Sequence, residues 1–271
     1  MDLERARKLA VDAVQAAGLL LLDGVSDGFG VHAKGSAGDV VTDLDLASEK
    51  VLVERILTAY PEHAVIAEES GLLGAAQAEW TWLVDPLDGT NNVAIGLPAY
   101  VIGLALCRSG RPVLGVVHDP VTRQTWSALR GRGAISSSGV RLAPPSRAMP
   151  HGPLLAWTQG YAVTRDDATV LSLKATLELR SRRMLQLWAP LLSWVMLARG
   201  DIDGMVGYRA EAVDLPAGAL IAQEAGIEIR ALDGSPFDES VTATAEDRSF
   251  VAAHPATLPV LLELVGSGLS R

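Results

Sequence analysis

The sequence predicts a layered α/β fold, of α+β character, in which helices and sheets alternate as stacked layers. Three observations predict it. Two segments with helical apolar spacing open the chain, apolar stretches separated by short turns fill its middle, and from about residue 150 strand-like and helix-like segments alternate. With 271 residues, 49% of them hydrophobic and 20% charged, there is ample material for a sizeable core.

Leu3, Ala6, Ala10, Val14, Ala17 and Leu21 recur at helical spacing and predict an amphipathic helix over residues 2–22, closed near Asp23-Gly24. Residues 24–38 read as a loop or hairpin. A second helix is expected over 46–60, with Leu52, Val53, Ile56 and Leu57 on its apolar face and Pro61 as its stop. Asp45 stands at its start, where a carboxylate is electrostatically favoured and where a plain N-cap is the simplest role. Residues 64–67 form a short apolar strand followed directly by Glu68. Residues 80–84 form a buried strand that runs into the turn Asp85-Pro86-Leu87-Asp88-Gly89-Thr90. If the two strands are neighbours, Glu68 lies beside Asp85. Glu68 and Glu69 cannot both face that point, because successive side chains of an extended chain alternate.

Residues 100–107, 112–118 and 125–129 alternate with turns at Ser109-Gly110 and Asp119-Pro120, as in an antiparallel meander. Gly131-Arg132-Gly133 continues the turns and lacks the strand-then-helix context of a dinucleotide fingerprint. The segment 144–150 is the best domain boundary, dividing an N-terminal α+β part, 1–145, from a C-terminal α/β part, 146–271. Beyond it come a strand at 154–157, helices over 167–179 and 191–199, a strand at 204–208, a helix over 214–225, strands at 227–230 and 250–253, and a closing helix from Leu258. No internal repeat or low-complexity tract interrupts this order.

Composition narrows the function. A net charge of −9 and no run of Lys or Arg argue against a nucleic-acid polymer as partner, so an anionic ligand would need metal ions to attract it. The single cysteine, Cys107, lies in an apolar run and reads as a core thiol in a reducing compartment. The first residues, with Asp2, Glu4, Arg5, Arg7 and Lys8, do not read as a signal peptide. The apolar stretch 185–198 contains Gln186 and Pro190 and falls short of the ~20 residues of a spanning helix, so no membrane is expected and the cytoplasm is the expected location. His32, His63, His118, His151 and His254 have no ligand spacing and read as surface or packing residues.

Asp85 and Asp88 carry the chemistry. Three residues apart across a Pro-constrained turn, they can converge on one point, where two bare carboxylates repel and a hard cation such as Mg²⁺ removes the conflict. Gly89 and Thr90 then offer N–H groups and a hydroxyl to an anion at a helix start. Taken by themselves, the two acids are equally well ordinary turn and cap residues.

Asp85-Pro86-Leu87-Asp88-Gly89-Thr90 resembles the D-P-[IL]-D-G-T signature of the inositol monophosphatase family of Mg²⁺-dependent, Li⁺-sensitive phosphatases. Three further blocks follow the family order: Val41-Thr42-Asp43-Leu44-Asp45 resembles V-T-x-x-D, Ile66-Ala67-Glu68-Glu69-Ser70 resembles G-E-E-S, and Asp214-Leu215-Pro216-Ala217-Gly218 with Gln223-Glu224-Ala225-Gly226 resembles W-D-x-A-A-G…E-A-G-G. The resemblance implies a five-layered αβαβα sandwich, two or three Mg²⁺ ions, inhibition by Li⁺ and a homodimer. It selects Glu68 over Glu69. It implies that Glu68, Asp85 and the Leu87 carbonyl hold one ion, that Asp85, Asp88 and Asp214 hold another, and that Glu68, with Asp45 through water, serves a third. The nucleophile implied is a water beside Glu68, its proton passed through Thr90 to Asp45, with metal coordination lowering its pKa from about 16 towards ~7 to 9. The phosphate is expected on Asp88, Gly89 and Thr90. No G-x-S-x-G elbow or C-x₅-R loop offers a covalent alternative.

The departures lie on the substrate side. Val213 replaces a Trp and Gly207 replaces a Glu that bonds inositol hydroxyls. Trp188-Ala189-Pro190 replaces G-[ST]-A, and Asn91-Asn92 replaces Thr-Asn. A lost buried polar partner of this kind costs about 1–3 kcal/mol. Trp188, Pro190, Gly207 and Arg209 are the expected substrate contacts, Arg209 either meeting a second charged group or standing solvated. The expected activity is hydrolysis of a small phosphorylated metabolite, an inositol-1-phosphate-like polyol or sugar phosphate. Fructose 1,6-bisphosphate, 3′-phosphoadenosine 5′-phosphate and histidinol phosphate are alternatives within the same chemistry. A non-catalytic metal- and phosphate-binding regulatory protein is the alternative from another class.

Overall fold

The first helix, α1 (Leu3–Asp27), starts where the Asp2 side chain accepts from the N–H groups of Glu4 and Arg5, and it closes at Gly28, whose φ of 91° is open to glycine. It runs past Gly24 because one glycine costs a helix only about 1 kcal/mol against the packing of a whole face. That face is Ala6, Ala10, Ala13, Val14, Ala17 and Leu21, all buried. By length and composition alone α1 could cross a membrane. Here those side chains lie in the core against the strands described below. The computed structural model describes residues 1–34, 39–145 and 149–270, so residues 35–38 of the expected hairpin and 146–148 of the expected boundary lie outside the described residues.

Hairpin strands β1 (Val31–Lys34) and β2 (Asp39–Thr42) lead into α2 (Asp43–Ala59). The helix begins three residues earlier than its apolar spacing suggests, because Thr42 caps it. Asp45 is therefore not the N-cap: it is the reciprocal partner in a capping box, its Oδ2 accepting from the Thr42 N–H at 2.7 Å.

A seven-stranded sheet follows, built from β3 (Ala64–Ala67), β4 (Gly71–Leu73), β5 (Trp80–Asp88), β6 (Val101–Arg108), β7 (Arg111–Asp119), β8 (Gln124–Leu129) and β9 (Gly133–Ser136), in the order β4-β3-β5-β6-β7-β8-β9. Only the β3–β5 pair is parallel. The short edge strands β4 and β9 were not foreseen, being too brief to carry a pattern. A five-residue helix, α3 (Thr90–Ala94), sits between β5 and β6.

The second half adds β10 (Leu154–Gln159), α4 (Ala168–Arg180), β11 (Arg183–Leu185), α5 (Pro190–Arg199), β12 (Gly204–Tyr208), α6 (Pro216–Glu224), β13 (Glu228–Ala231), β14 (Phe250–Ala253) and α7 (Leu258–Leu269). Its five strands order as β11-β10-β12-β14-β13.

Three apolar clusters separate five layers. Leu21 of α1 and Leu52 of α2 pack on Trp82 and Leu104 of the large sheet. The next residues along those strands, Leu83 and Ala105, point to the opposite face and meet Trp194 of α5 and Ile221 of α6, which also touch Met205 and Ala252 of the smaller sheet. Val206 and Val251, the neighbours of Met205 and Ala252 along their strands, face Leu173 of α4 and Leu261 of α7. This is the expected αβαβα sandwich. Both faces of both sheets are covered, which is why the strands read as continuous apolar runs.

Candidate active site

The parallel pairing matches Ala67 of β3 with Val84 of β5, so the residues that follow, Glu68 and Asp85, arrive side by side. The Glu68 N–H donates to the Val84 carbonyl at 3.2 Å and fixes that register. The strand then continues through Asp88, further than its apolar run predicts. Asp85 pairs with Gly103 and Asp88 with Val101, so three steps on β5 match two on β6. In a regular strand residues three apart face opposite sides; the extra residue restores the parity, and both carboxylates turn to one cavity. Pro86 is tolerated at this irregularity because it donates no ladder bond there.

Gly89 closes the strand at φ 106°, and a Cβ on it would stand 2.8 Å from the Ala99 carbonyl oxygen. Only glycine fits that turn. It delivers Thr90, whose hydroxyl lies 2.7 Å from Asp45 Oδ1 and 2.9 Å from the Leu87 carbonyl oxygen. Asp88 Oδ2 accepts from the N–H groups of Leu191 at 2.7 Å and Leu192 at 3.3 Å at the start of α5. That contact joins the strand-end acids of the first half to the middle helical layer. Asp214 approaches from the segment before α6.

These groups line a cavity of ≈ 490 Å³ whose wall includes Glu68, Asp85, Leu87, Asp88, Gly89, Thr90 and Asp214, together with Trp188 and Pro190. Gly207 and Arg209 do not line it. Gly207 lies in β12 against Phe250, whose Cε1 would be 2.2 Å from an added Cβ, so no larger side chain has room there. Arg209 reaches Glu246 at 3.5 Å and lies over the Tyr208 ring.

Three participants escaped the sequence reading. Lys34 of β1 donates to Glu68 Oε1 at 2.8 Å and Glu69 Oε1 at 2.6 Å. Burial pulls its ammonium down, but the two carboxylates outweigh burial and hold it above its ordinary value. Glu49 of α2 accepts from the N–H groups of Glu69 at 2.8 Å and Ser70 at 3.0 Å, clamping the turn that presents Glu68. Ser48 donates to the Pro86 carbonyl at 2.7 Å and pins the other acidic turn. Ser48 and Glu49 recur three and four residues after Asp45, a polar stripe on a helix face that could have been read from the sequence.

The electrostatics are those of crowded acid. Burial first, then Glu68, Asp88 and Asp214, push Asp85 well above the usual carboxylate range. Burial first, then Asp214, do the same to Asp88. Burial raises Glu68 against the pull of Lys34, and it raises Asp45 against its bonds from Thr42 and Thr90. Carboxylates held this way favour any cation that reaches them, and an all-oxygen donor set suits a hard divalent ion. Among the described residues no three His, Cys, Asp or Glu side chains close into a protein-only cage. Such an open arrangement fits Mg²⁺, which keeps water and substrate oxygens in several of its positions. The histidines stay out of the site: buried His118, for one, bonds Thr125 at 2.9 Å. Burial raises the Cys107 thiol to about 12 and leaves it inert, as its apolar setting suggests.

Residues 2–267 match the model of the inositol monophosphatase family. The Nus factor SuhB of Pasteurella multocida is 34% identical over 191 residues, covering 70% of this chain and 71% of that one. An inositol monophosphatase from Anabaena superposes with a TM-score of 0.82 at 26% identity, covering 98% of this chain and 97% of that one. An IMPase/NADP phosphatase complexed with Mg²⁺ and phosphate superposes at 0.80 with 23% identity, covering 97% and 95%.

Proposed function

The chain belongs to the inositol monophosphatase family and is a phosphoric monoester hydrolase; from that premise we propose that it hydrolyses a small phosphate monoester of the polyol or sugar phosphate kind, with Mg²⁺ as its cofactor. The observation that carries this reading is the Thr90 hydroxyl, 2.7 Å from Asp45 Oδ1, at the rim of a cavity that also holds Glu68, Asp85, Asp88 and Asp214. In that reading Glu68, Asp85, Asp88, Asp214 and the Leu87 carbonyl hold the metal, which supplies charge neutralisation and makes water a stronger acid.

The rest belongs to the chain. Glu68 orients the attacking water. Thr90 takes up the proton as it hands its own to Asp45, whose raised affinity for a proton, caused by burial, suits it to receive one. The Gly89 and Thr90 N–H groups steady the phosphate oxygens. Asp88, tied to the start of α5, keeps the two halves of the site in register. A homodimer, by family likeness, is the expected assembly.

The name of the Pasteurella relative favours a second reading, in which the same site serves a regulatory role with turnover absent or incidental. Phosphate release with Mg²⁺, measured across inositol, sugar, nucleotide and histidinol phosphates, tests the first. Selective turnover lost in Asp88→Asn supports it. Binding without turnover on every member shifts the weight to the regulatory reading.

A further inference from the structure

Trp188 lines the acidic cavity and also a second cavity of ≈ 260 Å³ between β10, α4 and the segment before α5. Tyr161, Pro190 and Asp214 complete the shared wall, so one ligand can occupy both spaces. At about 30 Å³ per water, the second space takes several heavy atoms.

Its chemistry is opposite to that of the first. Asp214, on the shared wall, is its only acid among the described residues, whereas Arg165 and Lys174 both line it. Neither cation makes an ion pair among the described residues. Arg165 is exposed and Lys174 half-buried. The Lys174 ammonium lies 5.4 Å from the centre of the Trp157 ring, and burial lowers its affinity for a proton with no carboxylate to restore it. A chain with 32 acidic and 23 basic side chains has acid to offer almost anywhere, and Asp214 is the one such group among the described residues that shares the lining with these two. The Trp157 indole donates to Gln159 Oε1 at 3.1 Å, which leaves the Gln159 amide N–H groups for a further acceptor.

Trp188 itself is held at a cost. Its φ is 51°, in the left-handed region that a bulky residue rarely adopts, and the residue is 59% exposed, so no core packing accounts for it. Such a ring at the junction of two cavities suits the body of a ligand lying across it.

We propose that the substrate is a phosphate monoester bearing a second anionic group, a further phosphate or a carboxylate, which Lys174 and Arg165 hold in the second cavity while its body crosses Trp188. The proposal rests on the hydrolase reading and narrows its substrate class. Three matched pairs test it: fructose 1,6-bisphosphate with fructose 1-phosphate, adenosine 3′,5′-bisphosphate with adenosine 3′-phosphate, and 3-phosphoglycerate with glycerol 3-phosphate. Each pair is compared by calorimetric binding with Ca²⁺ in place of Mg²⁺, and by kcat/KM for phosphate release with Mg²⁺.

The doubly anionic member of at least one pair is expected to be favoured tenfold or more in both measurements. The first two pairs favoured alone identify phosphate as the second group, and the third alone identifies carboxylate. Lys174→Met with Arg165→Gln brings the ratio to within about twofold of unity, chiefly through KM, and Lys174→Arg restores it. Because the readout is a ratio within one protein sample, partial misfolding does not imitate the result. Hydrolysis without preference in any pair, or a ratio unchanged in the double variant, overturns the proposal and leaves the hydrolase reading standing. Preferential binding with no hydrolysis overturns the hydrolase reading, and with it the substrate proposed, and leaves only a second anion site beside the first cavity. Absence of both binding and hydrolysis across all six compounds overturns both.

Discussion

Replacing Asp88 by Asn separates what its charge does from what its shape does. The side chain is 5% exposed, and Oδ2 accepts from Leu191 and Leu192, bonds that an amide oxygen can keep. The fold therefore survives while one of four convergent carboxylates loses its charge. In the proposed reaction that charge helps hold the metal against the developing transition-state charge. A loss of 10³-fold or more in kcat is expected, which at about 1.4 kcal/mol per decade is about 4 kcal/mol. The same change relieves repulsion, since burial and then Asp214 and Glu68 hold Asp88 well above the carboxylate range, and Asp88 in turn helps to raise Asp85. Without Mg²⁺ the melting temperature should accordingly rise, and the gain in stability on adding Mg²⁺ should shrink. Phosphate release and thermal melts with and without Mg²⁺ measure both. Activity within tenfold of wild type, or a fall in the metal-free melting temperature, refutes the reasoning.

Thr90→Val removes the hydroxyl and keeps the shape. Loss of the relay to Asp45 should lower kcat by roughly 10²- to 10⁴-fold with little change in KM, and steady-state kinetics on one good substrate read the split. The raised pKa values of Glu68, Asp85 and Asp88 set the sign of the metal-free pH dependence. The folded chain binds more protons than the unfolded one above about pH 4, so stability falls as pH rises from there towards the folded-state values. Denaturant midpoints in chelator should be higher at pH 5 than at pH 7.5, and Mg²⁺ should narrow the difference. Gly207→Ala places a Cβ 2.2 Å from Phe250 Cε1, and that ring is wedged between Trp194 and Phe237. A cost of about 1–3 kcal/mol is expected, seen as a drop of several degrees in the melting temperature.

Much of the site was legible because it is local. Acid directly after an apolar run announces a strand end, and Asp85 to Thr90 names its own turn through Pro86 and Gly89. The layers were legible for a similar reason, since periodicity reports which residues are buried. Boundaries were less so: α1 runs to Asp27 and α2 starts at Asp43 because caps, and not apolar spacing, set helix ends. Glu49 and Ser48 went unread because their partners are backbone groups twenty to forty residues away.

While the short strands β4, β9 and β11 left no pattern in it, the sequence by itself determined the longer elements, the acids at the ends of β3 and β5, and the family. Those depend on neighbours along the chain. Tertiary structure alone decided that the extra residue between Asp85 and Asp88 turns both to one cavity, that Lys34 reaches Glu68, that Phe250 excludes a side chain at position 207 and that Trp188 lines both the acidic cavity and the one that holds Arg165 and Lys174. Each is a contact between segments far apart in the chain, where register and layer packing set the distance and spacing along the sequence carries no trace of it.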